Sequence, residues 1–235
     1  MGGANLRHLW LLGALFVAAL ASGCGSGSSQ TGQLRFMQAS PLSGQVQLLV
    51  NGTQQANNLN YGNATGYLTL PTGSQHLQVL PVSLLPPSGS TTAILDTSVS
   101  VSSSLNQTLL MTGTSGAIKS IVLGDANATA VSGDINVRVV NASSRMGPVD
   151  VYILAAGSSI IGATPVKNGP FGFDQNTGYQ LVASGGYQVV MAVPGTTNAV
   201  LSTGTINTQS PSTSQTVVVL DNIAGGFTFT VLQDQ

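Results

Sequence analysis

The chain states one phrase twice, and that duplication limits what it can fold into more than any other feature. LRFMQASPLSGQVQLLV, from Leu34 to Val50, aligns without a gap with VRVVNASSRMGPVDVYI, from Val137 to Ile153. Arg35 falls on Arg138, Ser40 on Ser143 and Gly44 on Gly147, at a constant offset of 103 residues. A second matched pair follows each copy: ATGYLTLPTG (Ala64 to Gly73) and NTGYQLVASG (Asn176 to Gly185), offset by 112. A period near one hundred residues is the size of a domain, so two similar units follow one another in a chain of 235 residues.

The residues between the matched phrases point to strands. Charged residues make up 6% of the chain, against roughly 25% in an average soluble protein. All seven acids are Asp, and Lys119 and Lys167 are the only lysines, so the usual residues of solvated helices are nearly absent. Apolar alternation at period two runs through Gln45 to Val50, Ser98 to Ser102, Val149 to Ile153 and Phe227 to Val231. Asn51-Gly52, Thr72-Gly73, Gly185-Gly186 and Pro194-Gly195 punctuate the strands with turn chemistry. Thr216 to Leu220 is apolar almost throughout, which predicts a strand covered on both faces. About seven short strands per unit predict an all-β chain of two tandem immunoglobulin-like or transthyretin-like β-sandwiches. The expected boundaries are 33–124 and 134–235, joined by a linker over 125–133.

The first 23 residues read as an address label. Arg7 precedes an apolar run from Leu9 to Ala21, broken only by Gly13. At a 1.5 Å rise per residue, such a run falls short of a hydrocarbon core of about 30 Å, so a signal peptide is expected over 1–23. The run ends at Ala21-Ser22-Gly23, directly before Cys24, the one cysteine of the chain. This arrangement resembles a bacterial lipobox, with Ala21 where Leu is commoner. The resemblance implies lipidation of Cys24, as by palmitate, and a membrane partner reached through that lipid. Gly25, where Asp would retain such a protein at the inner membrane, implies an address at the outer membrane of the bacterial envelope. A Gly/Ser-type tether over 24–32 would join the anchor to the folded body.

Three matched elements now stand together: R-x-x-x-A-S before a Gly-containing turn, then V-D-V-Y-I, then T-G-Y with a later Gly. Together they resemble the bacterial envelope family catalogued as domain of unknown function 4397, over both halves of the chain. The second unit carries the pattern in Asn141-Ala142-Ser143 and Val149-Asp150-Val151-Tyr152; the first departs from it at Gln38 and Gln47. The resemblance implies a periplasmic or surface β-sandwich module, often in tandem and often on lipoproteins, and it implies no reaction.

No catalytic constellation stands out. His76 is the only histidine after residue 23, and it alternates onto the polar face of a strand beside Gln78, where a solvated imidazole is expected. The chain has no G-x-S-x-G elbow and no S-x-x-K pair. Asp96, Asp125, Asp134, Asp150, Asp174, Asp221 and Asp234 are scattered singly rather than paired for glycoside hydrolysis. Asp125, Asn127 and Thr129, with Asp134 beyond, offer oxygen ligands at alternate positions, a weak Ca²⁺ candidate that lacks the Gly and closing Glu of an EF-hand. One cysteine and one histidine do not make a zinc site. The five Asn-x-Ser/Thr sequons read as turn chemistry. No cofactor and no nucleic-acid partner is expected, since neutralising phosphates takes clustered Lys and Arg.

Arg35 and Arg138 are expected to face outward from their strands in structural roles. The function expected is a non-enzymatic one: adhesion, scaffolding or binding to an envelope protein or glycan, with contacts from loop tips at Pro86 to Ser90 and Lys167 to Gly172. A carbohydrate-binding module is the alternative. It would need an exposed platform drawn from Tyr61, Tyr67, Tyr152, Tyr179, Tyr187 and Phe171.

Overall fold

The computed structural model describes residues 30–82, 92–125, 133–208 and 213–234, so the leader, Cys24 and the Pro86 to Ser90 tip lie outside the described residues. Among the described residues the first unit holds eight strands: β1 (Thr31–Gln38), β2 (Val46–Val50), β3 (Thr53–Leu59), β4 (Leu68–Pro71), β5 (Gly73–Pro81), β6 (Leu95–Val101), β7 (Asn106–Thr112) and β8 (Lys119–Asp125). The second repeats them: β9 (Asp134–Asn141), β10 (Val149–Ala155), β11 (Lys167–Phe171), β12 (Gln180–Ala183), β13 (Tyr187–Ala192), β14 (Ala199–Ser202), β15 (Ser214–Asp221) and β16 (Phe227–Asp234). Sheet β4-β1-β7-β8 packs on β3-β2-β5-β6, and β12-β9-β15-β16 packs on β11-β10-β13-β14. In each unit the opening strand runs parallel to the seventh, β1 with β7 and β9 with β15. The chain is all-β in two tandem sandwiches.

Period-two geometry explains how the units are filled and how they meet. Along β1, Leu34 and Phe36 enter the first core, while Met37 turns to the opposite face. Along β15, Val217 and Val219 enter the second core, while Val218 and Leu220 turn away from it. The outward sets are not solvated. Met37, Ala39, Leu110 and Leu123 of the first unit pack with Val140, Ala142, Val218, Leu220 and Leu232 of the second as a third apolar cluster. The apolar run at Thr216 to Leu220 is therefore covered on both sides because it serves two cores at once, and every residue of β15 is buried.

Several local expectations need correction. Among the described residues each sandwich has eight strands, against the seven or so expected, because β3, β11, β12 and β14 form at edges without apolar alternation. Thr31 and Gly32, assigned to the tether, already pair with Pro71 and Leu70, and Gly32 lies so close to Ser102 that a Cβ there would sit 2.0 Å from its carbonyl oxygen. Lys167 to Gly172 is not a free loop tip: Lys167 and Phe171 pair with Val151 and Val149, and Phe171 fills the second core. Asp125, assigned to the linker, is the last residue of β8.

The two copies differ most between β2–β3 and β10–β11. Asn51 and Gly52 alone join the first pair, whereas residues 156–166 join the second. That longer connection folds over the outer sheet face, where Ile160 and Ala163 pack on Tyr152, Val190 and Ala192. Tyr152 and Asp150 do point away from the core, as alternation predicts, yet both are buried.

Candidate functional site

The most densely bonded polar cluster sits where the two units meet. Arg35 on β1 places Nη2 2.5 Å from Asp234 Oδ1 of the other unit, and its Nη1 donates to the Gln233 carbonyl at 2.7 Å. Arg138 on β9 mirrors it, with Nη2 donating to Asp125 Oδ1 at 2.6 Å and Nη1 to the Gly124 carbonyl at 2.8 Å. Each guanidinium also donates from Nε and Nη2 to a threonine on the neighbouring strand of its own unit, Thr108 for Arg35 and Thr216 for Arg138. Those hydroxyls donate onward, Thr108 to Asp125 at 2.5 Å and Thr216 to Asp234 at 2.6 Å. Tyr67 and Tyr179 complete the pattern. Their hydroxyls donate to Asp125 Oδ2 and Asp234 Oδ2, both at 2.7 Å, and the two guanidiniums lie over their rings at 4.7 and 4.6 Å.

Arg35 and Arg138 thus leave their own cores as expected, but the space they enter is closed: both side chains are 4% exposed and both aspartates 0%. The two positive and two negative charges balance, which suits a buried site. Burial, reinforced by the hydrogen bond to Asp125, pushes the Tyr67 phenol well above its ordinary range, and burial beside the Asp234 charge does the same to Tyr179. All four carboxylate oxygens accept bonds, so no free base or nucleophile is on offer. This arrangement locks the units together. It is flanked by Tyr61 donating to the Asp221 carbonyl at 2.9 Å, Thr230 to the Gly62 carbonyl at 3.2 Å, and an ion pair of Lys119 with Asp174 at 2.7 Å.

Sequence matching found the two arginines but not their partners. The signal was present: Gln107-Thr108 and Gln215-Thr216 are matched pairs, and Asp125 and Asp234 close equivalent strands. The matched serines have local roles. Ser40 donates to the Gly113 carbonyl at 2.7 Å, whereas Ser143 donates to Asp221, which also takes Ser144 and an ion pair from Arg145. Burial alone would raise the Asp221 pKa, but these donors and the Arg145 charge bring it below the usual carboxylate value.

The remaining candidates are dispersed. Of the Ca²⁺ set, Asn127 and Thr129 lie outside the described residues, Asp125 is committed to the interdomain lock, and Asp134 opens β9. Among the described residues, no group of three or more His, Cys, Asp or Glu side chains is placed to hold a metal ion. His76 is half exposed and pairs with Asp96 at 2.7 Å, which also accepts from Gln78. The His76 contact, with help from Gln78, holds the Asp96 pKa below its ordinary value.

The six aromatics form no common platform. Tyr187 and Phe171 are core residues, Tyr61, Tyr67 and Tyr179 bond at the domain junction, and Tyr152 lies under the 156–166 segment. Beside Tyr152 a shallow groove opens between that segment, β11 and the β13–β14 turn, with Asp150 at its base. The Asp150 carboxylate accepts from the backbone N–H groups of Gly169 at 2.5 Å and Gly195 at 2.7 Å, tying the two walls to β10.

Comparison with known proteins adds a family and little else. No curated protein matches the chain. Among solved structures, the Bacillus anthracis TIE protein is similar at 8% identity over 87% of this chain and 44% of its own, with a TM-score of 0.23. This chain therefore spans less than half of that protein's length. The model of the family described as Domain of unknown function (DUF4397) matches residues 32–152, which takes in nearly all of the first sandwich and the opening strands of the second. Matched over more than half its length, with the repeated phrase inside the match, the chain belongs to the DUF4397 family.

Proposed function

We propose that the protein is a non-catalytic, lipid-anchored component of the bacterial envelope, a rigid double sandwich that serves adhesion, scaffolding or binding. The observation that carries this reading is the apolar run ending in Ala21-Ser22-Gly23-Cys24 seven positions before the first residue of β1. Seven extended residues reach at most about 25 Å, so an acyl chain on Cys24 would hold the body close to the bilayer surface. The interdomain lock supports the scaffold part of the reading, since its acids and bases are spent on one another. Outer-membrane sorting is the address consistent with Gly25 after the cysteine.

The test is metabolic labelling with palmitate, together with detergent-phase partitioning and the mass of the N-terminal peptide. The wild-type chain is expected to take up label on Cys24 and enter the detergent phase, while Cys24→Ser loses label and stays aqueous. An unlabelled wild-type protein with a free thiol, recovered in the aqueous phase, would overturn the proposal.

A further inference from the structure

The buried lock does not by itself decide which face pairs with which. Arg35, Thr108, Asp125 and Tyr67 of the first unit occupy the same places as Arg138, Thr216, Asp234 and Tyr179 of the second, and each guanidinium crosses to the other unit's aspartate. A face that carries donor and acceptor at matched positions is self-complementary, as at a two-fold interface. Two first units, or two second units from neighbouring copies, would satisfy the same central contacts.

The rim breaks this symmetry. Each unit reaches across with the turn that precedes T-G-Y: Tyr61-Gly62 in the first and Phe173-Asp174 in the second, matched at the offset of 112. Gly62 and Asp174 both hold a positive φ, 81° and 63°, so one backbone form carries two chemistries. On one side Gly62 faces Leu220 and Thr230. A Cβ built on it would lie 3.5 Å from Leu220 Cδ1, and the Thr230 hydroxyl donates to its carbonyl at 3.2 Å. On the other side the Asp174 carboxylate, 11% exposed, lies 2.7 Å from Lys119 Nζ, and that ammonium sits 4.6 Å from the centre of the Phe173 ring. Strand register identifies the counterparts: Lys119 pairs with Thr112 across β7 and β8 as Thr228 pairs with Leu220 across β15 and β16. The first unit therefore offers a glycine in its turn with Thr112 and Lys119 on its strands. The second offers an aspartate in its turn with Leu220 and Thr228 on its strands.

Like with like fails at this rim. Two second units would set Asp174 against Leu220 and Thr228, a carboxylate facing a leucine with no base opposite. Two first units would set Gly62 against Thr112 and leave Lys119 without its carboxylate. We propose that Gly62 with Leu220, and Asp174 with Lys119, determine the specificity of the pairing face. The partner they select for a first unit is a second unit, its own within the chain or that of a neighbouring copy taken crosswise, and like-with-like association is rejected. The assignment holds whether or not Cys24 carries lipid.

Thermal unfolding of the intact full-length protein in dodecyl maltoside, followed by circular dichroism, tests the proposal by rebuilding each contact inside one chain. Gly62→Asp builds the like-with-like contact, an aspartate against Leu220, on a turn whose counterpart already holds Asp174 at a similar φ. It should lower the thermal midpoint by about 3–10 °C. Adding Thr228→Lys supplies the base that Lys119 supplies on the other side, and should recover at least half of that fall. Conversely, Lys119→Thr should lower the midpoint by a smaller amount, and adding Asp174→Gly should recover it. Residues that merely filled space would lose stability with each further substitution, whereas a pairing code restores it in the doubles. A Gly62→Asp chain as stable as the wild type, or double variants no more stable than the single ones, would overturn the proposal.

Discussion

Asp234→Ala is the substitution on which the interdomain lock can be judged. It removes the acceptor of three donors at once: Arg35 at 2.5 Å, Thr216 at 2.6 Å and Tyr179 at 2.7 Å. Arg35 is 4% exposed, so its charge would lose its close partner where water scarcely reaches and keep only Asp125, already bonded to Arg138, at 3.6 Å. Breaking a buried pair from one side costs about 3–5 kcal/mol, whereas an exposed pair contributes about 1 kcal/mol or less. For a body of this size each kcal/mol moves the thermal midpoint by about 2–4 °C, so the expected fall is about 6–20 °C. Far-ultraviolet circular dichroism, followed during heating and in urea, would measure it. Asp125→Ala should behave alike, because Arg138 occupies the mirrored position. Arg35→Met combined with Asp234→Leu should recover at least half of the loss, since both charges then leave together. A fall below about 2 °C for both alanine variants would refute the claim that these charges are sealed between the domains.

Three further outcomes follow from individual contacts. Burial pushes Tyr61 up to about 12 and Tyr67, Tyr179 and Tyr187 higher still. The stability tied to these phenols is full below the ordinary tyrosine pKa near 10 and is lost as pH rises through their folded values, so phenolate absorbance for these four should appear only as the chain unfolds in alkali. Asp221 runs the opposite way: with its pKa lowered in the fold, its contribution is present above the ordinary value of about 4 and disappears as pH falls through the folded one. Ser143→Ala should therefore destabilise the protein at neutral pH and progressively less in acid, as urea midpoints at several pH values would show. Gly32→Ala should cost about 1–3 kcal/mol, read in the same urea assay, because the new methyl would meet the Ser102 carbonyl at 2.0 Å.

Much of this fold was legible in the sequence because period two and turn residues are local signals. The strands containing Val46 to Val50, Val149 to Ile153 and Phe227 to Val231 stood out by alternation, and β15 by its unbroken apolar run. The edge strands did not. β3 reads TQQANNL and β14 reads AVLS; held by one neighbour and largely exposed, they owe their form to backbone pairing, which leaves little trace in side-chain polarity.

The site was less legible for a different reason. Arg35 and Arg138 stood out as a matched pair, but their partners Asp234 and Asp125 belong in each case to the opposite unit, and the partner of Arg35 lies 199 residues along the chain. Nothing local announces a partner at that separation. The two-sided burial of β15 was the nearest clue that something covers its outer face. The groove beside Tyr152 depends on how residues 156–166 fold over the sheet, which no periodicity encodes.

The measurement that bears most directly on the account is the distance distribution between spin labels on the two outer faces, one at Ser98 on β6 and one at Ser202 on β14, in a Cys24→Ser background. Two sandwiches held by a mirrored pair of buried Arg–Asp contacts predict a single narrow distribution, which broadens when Asp125 and Asp234 are both replaced by alanine. A broad or multiple distribution in the otherwise unaltered chain would contradict the account.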